Sequence, residues 1–460
     1  MKSHVPGILL IIFLAASCSG DDALRKASAT ITADELRDYT RILGADSFMG
    51  RKPFTPGENI TVEYLAGELE NIGFSPAFGE SWFQEVPMVE ITSRVEGDVL
   101  LNAGKDMLRL SAPDDIAVES PSMSELVELV DIPVVFCGFG IVAPEYGWDD
   151  YAGLDVTGKC AVVLINDPGL YTGDTTLFGG RRMTYYGRWT YKYEEAARQG
   201  ATAILIIHET RGAGYDYSIP RKSSISPALY MERSGEDVQP CPVNGWLSAE
   251  AADKVFAATG HDVAVLRQEA CKKGYRGFGM GTSISLRMVN SHVTNSSLNV
   301  AGILPGRSRP EECVIISAHW DHFGIGEKEN GDSIYNGAVD NGTSMAWALE
   351  TGEAFASLKK RPERSVILFF PTAEEQGLLG SAWFAAHPPV EAADIIACFN
   401  NDMLLPIGRM KDIMITGYGQ SELEDLLAKA AKKQDRYVMP DPSPETGMYF
   451  RSDHFPFARM

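Results

Sequence analysis

The amino-acid sequence predicts an α/β protein, in which a mostly parallel sheet has helices on both faces and a smaller domain is inserted. At 460 residues the chain exceeds one ordinary hydrophobic core, so two domains are expected. From residue 298 onward, near-continuous apolar runs alternate with helical patterns, as is typical of buried parallel strands. Between residues 95 and 280, short strands are separated by loops rich in Gly, Pro, Tyr and Asp, which indicates the insert.

The chain begins with a segment that predicts export. Lys2 precedes the apolar run 8–16, which is too short to cross a bilayer and is typical of a signal peptide. The run ends at Leu-Ala-Ala-Ser-Cys, which resembles the lipobox of bacterial lipoproteins. This resemblance implies a signal peptide over residues 1–17, acylation of Cys18 and a tether over residues 18–30. We therefore expect a protein of the bacterial cell envelope, lipid-anchored on its periplasmic or cell-surface face; an ordinary secretory signal with an incidental cysteine is the alternative.

Residues 31–94 are expected to form the N-terminal part of the main domain. Thr32 precedes an acidic first turn and predicts the start of a helix, and the stretch 48–57 is dense in turn residues. A second helix is predicted over 62–72 because its apolar residues recur at helical spacing, and a strand is predicted at 82–91.

The inserted section is expected to span residues 95–280 and to form a small α/β unit. Its predicted strands are 134–136, 160–165 and 203–207, and a helix at 193–199 precedes the third of them. Two of its cysteines, Cys241 and Cys271, flank helical segments and either pair as a disulfide or stay free.

Composition excludes two classes of function. The formal charge of −21 gives an acidic surface that repels phosphate backbones, so we expect no nucleic-acid partner. The cysteines form no CxxC pair, which argues against thiolate zinc and thioredoxin-like chemistry. A serine nucleophile is equally unsupported, because the sequence has no GxSxG motif.

Ligand-type side chains follow three predicted strands of the last section. His319 and Asp321 follow one strand, Glu374 and Glu375 follow the next, and Asp402 follows the third. A single carboxylate at such a place would indicate a helix cap, but binding sites in open α/β sheets form beyond the carboxyl ends of the strands. The two adjacent glutamates point in different directions, which suits one to metal binding and the other to proton transfer. The predicted strands are 300–304, 313–318, 365–371, 395–400 and 413–416.

Three further residues complete the candidate site. His319 and Asp321 are two positions apart, so both side chains leave the same face of an extended chain, one as ligand and one as its orienting carboxylate. Asp340 precedes the next helix, and His454 is the last candidate ligand. We expect His322 to pack or to bond locally.

The order of these motifs, HxD, DNG, EE, ND and SDH, resembles the M28 zinc aminopeptidase family and its phosphorylase/hydrolase-like α/β fold. Further matches are Gly-Arg-Lys-Pro at residues 50–53 and the stretch 298–306. The stretches 154–163 and 194–201 resemble the protease-associated (PA) domain found in many members. The resemblance covers residues 31–460 and makes 281–460 the catalytic M28-like section.

The resemblance implies two Zn²⁺ ions and a cis peptide bond after Asp340. It also assigns a role to each site residue: His319 and Asp402 for one zinc, Glu375 and His454 for the other, Asp340 as the bridge, Asp321 orienting His319, and Glu374 as general base. Because so few residues follow His454, we expect the C-terminal edge to be truncated or unusual.

The function implied is a metallo-exopeptidase acting on peptide substrates, with an aminopeptidase as the first hypothesis. A carboxypeptidase or dipeptidase of the same fold remains open. From other classes, a receptor-like binding ectodomain would require missing ligands, and a glutaminyl-cyclase-like transferase would use a single zinc.

Overall fold

The computed structural model describes residues 23–103, 106–233 and 238–460. The predicted signal peptide, Cys18 and the start of the tether lie outside the described residues, and the rest of the tether is helical at residues 23–28. Over the three described ranges, no helix combines the length and the hydrophobicity needed to cross a bilayer.

Helices and strands are interspersed along the described residues. The helices are α1 (Ala33–Leu43), α2 (Pro56–Asn71), α3 (Pro168–Thr172), α4 (Trp189–Arg198), α5 (Thr210–Ala213), α6 (Ser218–Ser223), α7 (Ala249–Ala258), α8 (Val263–Ala270), α9 (Thr343–Ala356), α10 (Leu379–Ala386), α11 (Leu423–Lys433) and α12 (His454–Ala458). The strands are β1 (Ser75–Pro76), β2 (Phe83–Val95), β3 (Val99–Ala103), β4 (Asp106–Leu110), β5 (Ile116–Glu119), β6 (Leu126–Phe136), β7 (Val142–Ala143), β8 (Trp148–Asp149), β9 (Cys160–Leu164), β10 (Ala203–Ile207), β11 (Ala228–Met231), β12 (Val243–Leu247), β13 (Phe278–Leu304), β14 (Arg309–Ser317), β15 (Gly324–Glu329), β16 (Asp332–Tyr335), β17 (Arg364–Phe370), β18 (Ile395–Asn400), β19 (Asp412–Ile415) and β20 (Tyr437–Pro440).

The chain divides into two compact units. The first comprises residues 23–87, Asn295–Gly408 and Ser452–Met460, and the second comprises Met88–Thr294 and Arg409–Arg451. The second unit is therefore wider than the insert predicted at residues 95–280.

Residues 409–451 correct the predicted boundaries, because the sequence assigned them to the catalytic section. They belong to the second unit, where the backbone N–H of Met183 donates to Pro444 O over 3.1 Å. The side chain of Asn166 donates to Glu445 O over 3.1 Å. These hydrogen bonds fix the segment to the body of the second unit.

The first unit is built on a sheet whose strands lie in the order β18, β14, β17 and the C-terminal part of β13. β14 pairs in parallel with both of its neighbours, whereas β13 is antiparallel to β17, and β1 is antiparallel to β13. Of the predicted strands, 313–318, 365–371 and 395–400 are thus parallel neighbours, whereas 300–304 is antiparallel to its neighbour.

Alternate residues of β17 enter cores on opposite faces of this sheet. Leu368 and Phe370 pack in the core that includes residues of α2 and α9. Ile367 and Phe369 pack on the other face, where the ring centroid of Phe369 lies 4.2 Å from that of Phe384 in α10. Helices cover both faces, as predicted, and each buried side chain of this size contributes roughly 1.5–3 kcal/mol.

In the second unit, β6, β9, β10 and β12 run parallel and β5 is antiparallel to β12. All residues of β9 and β10 are buried, which explains the unbroken apolar runs in the sequence. Cys241 and Cys271 are both free thiols, so the disulfide that the sequence left open is not formed.

Candidate metal centre

Three strand ends of the first unit bring ligand-type side chains to one edge of its sheet. β14 leads into His319 and Asp321, β17 into Glu374 and Glu375, and β18 into Asp402. Because the three strands are parallel neighbours, their carboxyl ends lie side by side.

His319 lies at the centre of a first group. Its Nε2 atom is 3.3 Å from Asp340 Oδ1, 3.5 Å from Asp402 Oδ1 and 3.9 Å from Glu374 Oε2. The imidazole is 1% exposed, whereas the side chains of Asp340 and Asp402 are 30% and 25% exposed. A ligand arriving from solvent can therefore reach the carboxylates while the imidazole stays fixed.

His322, Asp340 and Glu375 form a second group, in which one possible ligand atom of each lies within 4.8 Å of the others. His322 Nδ1 is 2.8 Å from Glu375 Oε1, so the local bond expected for this histidine is made to a candidate ligand. Asp340 also adjoins His319, so the two groups are neighbours. The peptide bond after Asp340 is cis.

Asp321 holds both glutamates through their backbone. Its carboxylate accepts the N–H of Glu374 over 3.0 Å and the N–H of Glu375 over 3.3 Å. Asp321 Oδ1, which accepts the Glu374 N–H, also lies 3.6 Å from His319 Nδ1, and Asp321 O lies 3.1 Å from the same nitrogen. This arrangement suits a residue that orients the ligands around it.

Asp402 is joined to the last segment of the chain. Ser452 Oγ donates to Asp402 Oδ2 over 2.8 Å, and Asn400 donates to Ser452 over 2.6 Å. Burial alone would raise the pKa of Asp402, but His319, Ser452 and the charge of His454 hold it below its usual value. His454 belongs to neither of the two groups, although it acts on Asp402 electrostatically.

The carboxylates crowd the site with negative charge. Burial raises the pKa values of both Glu374 and Glu375, and it raises the pKa of Asp453 to about 7. Burial would lower the pKa of His319, but Glu374 and the aspartates around it raise that pKa well above its usual value. A cation near these groups would offset their repulsion.

Among the buried atoms that make no hydrogen bond are two of candidate ligands, His319 Nε2 and Asp340 Oδ1. Such atoms are rare in folded proteins, because an unsatisfied buried polar group costs roughly 1–3 kcal/mol. Imidazole nitrogens and carboxylate oxygens are the ligands that zinc takes in catalytic sites. The donor set therefore fits zinc.

Three residues at or beside the site were given no role in the sequence analysis. Ser452 and Asp453 directly precede His454, and their position next to a candidate ligand is the sequence feature that could have indicated them. Arg51 is fully buried, and its side chain bonds to the carbonyl oxygens of Trp320 and Asp340. Burial lowers the pKa of Arg51 to about 10, so it stays charged at neutral pH.

Comparison with known proteins gives similarity over the segment that contains this centre. Residues 299–460 match the family model described as Peptidase family M28. Carboxypeptidase Q of Xenopus laevis is 25% identical over 252 residues, which are 54% of this chain and 44% of that protein. Carboxypeptidase Q of Bos taurus is 30% identical over 263 residues, which are 56% of this chain and 44% of that protein. The chain thus spans less than half of the length of these curated relatives.

A solved structure, the aminopeptidase from Aneurinibacillus sp. strain AM-1, matches with a TM-score of 0.48 and 18% identity. The match covers 95% of this chain and 84% of that chain. Over residues 299–460, this chain is similar to peptidases of family M28, which are zinc metallopeptidases.

Proposed function

We propose that this chain is a zinc-dependent exopeptidase that removes terminal residues from peptides, with aminopeptidase activity as the first hypothesis. The observation on which this rests is that His319, Asp340, Glu375 and Asp402 lie in two adjoining groups of possible ligands, and that His319 Nε2 and Asp340 Oδ1 are buried without a hydrogen bond. The match of residues 299–460 to family M28 supports the same activity.

The centre is proposed to hold two zinc ions. His319 and Asp402 would hold one ion, Glu375 and His454 the other, and Asp340 would contribute to both. In support, Asp340 lies 3.3 Å from His319 and is grouped with Glu375. Bound zinc supplies Lewis-acid activation of water and of the scissile carbonyl group.

Glu374 is proposed as the general base. Its side chain is 9% exposed and lies beside His319, and burial raises its pKa, which makes the carboxylate a better proton acceptor. Glu374 would take a proton from the attacking water and give it to the leaving amine. Asp321 would keep Glu374 in place through the backbone hydrogen bond described above.

A carboxypeptidase or dipeptidase is the second candidate, favoured by the matches to two carboxypeptidase Q proteins. A receptor-like ectodomain and a glutaminyl-cyclase-like transferase are less favoured, because every residue of the five-ligand set is present. The second unit is proposed to be a PA-like domain, and acylated Cys18 is proposed to anchor the protein in the bacterial cell envelope.

The test is an activity panel on the full chain with zinc content measured on the same sample. The panel contains aminoacyl substrates with a free N-terminus, the same peptides with a blocked N-terminus, and dipeptides. Cleavage of free but not blocked peptides is expected. Release of C-terminal residues from blocked peptides would replace the aminopeptidase hypothesis by the carboxypeptidase one, and a folded, zinc-free, inactive protein would favour the receptor-like reading.

A further inference from the structure

We propose that Arg51 is a positioning residue of the metal centre, which fixes the spacing of the two loops that present His319 and Asp340. The inference rests on the proposed function only in taking the centre to bind zinc. Arg51 itself touches no reacting atom in this assignment, because its side chain bonds to the backbone of the loops.

The guanidinium of Arg51 reaches carbonyl oxygens from three separate parts of the first unit. Its donors bind Trp320 O (2.8 Å, from Nε), Leu43 O and Asn336 O (2.6 Å each, from Nη1), and Gly337 O and Asp340 O (2.8 and 3.4 Å, from Nη2). One side chain therefore joins the end of α1, the loop after β14 and the loop between β16 and α9.

The main chain of Arg51 adds a further contact to the loop after β14. The N–H of His322 donates to Arg51 O over 3.1 Å. The side chain of Arg51 binds the same loop at Trp320, so the loop is held on both sides of Asp321. His319 and Asp321 are therefore presented from a backbone with little freedom to shift.

The choice of an arginine follows from the chemistry of these contacts. A guanidinium offers five N–H donors in a rigid plane, whereas a lysine ammonium offers three donors from one point. Arg51 is fully buried, yet its hydrogen bonds go to carbonyls and to none of the neighbouring carboxylates. Asp340 Oδ1 consequently stays without a hydrogen bond and is available to a cation.

Two glycines allow close approaches at and beside this arginine. Gly337 has φ +63°, and a Cβ there would collide with Arg51 Nη2 and would lie 2.8 Å from His322 Cδ2. Gly50 has φ +66°, and a Cβ there would lie 2.6 Å from Tyr335 O. Both positions favour glycine because the left-handed region excludes most other residues. Gly337 therefore leaves space for the guanidinium, and Gly50 lets the chain just before Arg51 approach the end of β16.

The consequence concerns the gap between His319 Nε2 and Asp340 Oδ1, which is 3.3 Å wide and has one loop on each side. Removing the guanidinium frees five carbonyls and lets the two loops separate. Zinc affinity should then fall even in a variant that stays folded. The ligands would have to be brought together each time the ion binds, and that ordering would cost free energy.

The test compares Arg51→Lys and Arg51→Met with Leu65→Ala, a matched change of a fully buried side chain in α2 of the same unit. Zinc affinity is measured by competition with a chelator, Co²⁺ absorption reports the ligand geometry, and thermal unfolding of metal-free protein reports stability. Both Arg51 variants should bind zinc at least tenfold more weakly with an altered cobalt spectrum. Leu65→Ala should unfold at a lower temperature yet keep its zinc affinity within twofold.

Zinc affinity within twofold of wild type in Arg51→Lys would overturn the inference, and so would an equal loss in Leu65→Ala. If the Arg51 variants do not fold, Gly337→Ala takes their place, because its methyl group would lie within 3 Å of Arg51 Nη2, Asp340 O and His322 Cδ2 and so disturbs the same contacts; unchanged zinc affinity in that variant would overturn the inference. A wild-type protein that binds zinc but cleaves no peptide contradicts the proposed function alone, whereas one that binds no zinc contradicts both.

Discussion

Replacement of Glu374 by glutamine distinguishes a role of this residue in proton transfer from a role in metal binding. The two side chains have the same shape, and the Glu374 side chain is 9% exposed, so the substitution leaves packing unchanged. The hydrogen bond to Asp321 uses the backbone N–H of Glu374 and survives the change. What is lost is a carboxylate oxygen 3.9 Å from His319 Nε2, and with it the proposed base.

General-base catalysis contributes roughly 10²–10⁴-fold, which corresponds to about 3–5 kcal/mol of the activation barrier. Glu374→Gln should therefore keep its zinc and lose at least a hundredfold in kcat. The matched control is Glu375→Gln, the same change at the next residue, which should lose zinc because Glu375 is a proposed ligand. Turnover of Glu374→Gln within threefold of wild type would refute the role of Glu374 as base, and loss of zinc would make it a ligand.

Three further outcomes are expected. Removal of zinc by a chelator should abolish peptide hydrolysis and lower Tm, because an ion present at a thousand times its Kd stabilises the fold by about 4 kcal/mol; an unchanged Tm would speak against a resident metal. Asp321→Asn should weaken zinc binding roughly 10–100-fold in chelator competition, since an amide cannot accept the N–H groups of Glu374 and Glu375 at both positions; equal affinity would remove its orienting role. Burial raises the pKa of Glu119 from 4.5 to about 7, so its stabilising contribution is present below pH 4.5 and is lost as the pH rises through 7. Glu119→Gln should accordingly exceed wild type in Tm at pH 8 and match it near pH 4, and a difference independent of pH would contradict this.

The sheet of the first unit was predictable because its strands are buried on both faces. The observed bounds of β14, β17 and β18 differ from the predicted bounds by at most four residues. Short unbroken apolar runs are typical of strands that are buried on both faces. The polar residues that end these runs marked one edge of the sheet, so the neighbourhood of His319, Glu374 and Asp402 followed from strand order.

The remaining features depend on contacts that local patterns do not encode. His322 joins Asp340 and Glu375 only because the loop before α9 folds back onto the ends of β14 and β17. Arg51 lies in a turn-rich stretch, and its five carbonyl partners are distributed between Leu43 and Asp340. Residues 409–451 have the same strand–helix pattern as the catalytic section, and such a pattern does not specify which core it joins.

The order in which the segments occur along the chain has a consequence for biosynthesis. His319, Asp340, Glu375 and Asp402 precede the excursion of residues 409–451 into the second unit, and His454 follows it. A nascent chain released from the ribosome at any point before residue 454 lacks at least one of the five proposed zinc ligands. Under the proposed function, the hydrolase is therefore incomplete through most of its translation, and prematurely terminated chains would not add a peptidase to the cell that makes them.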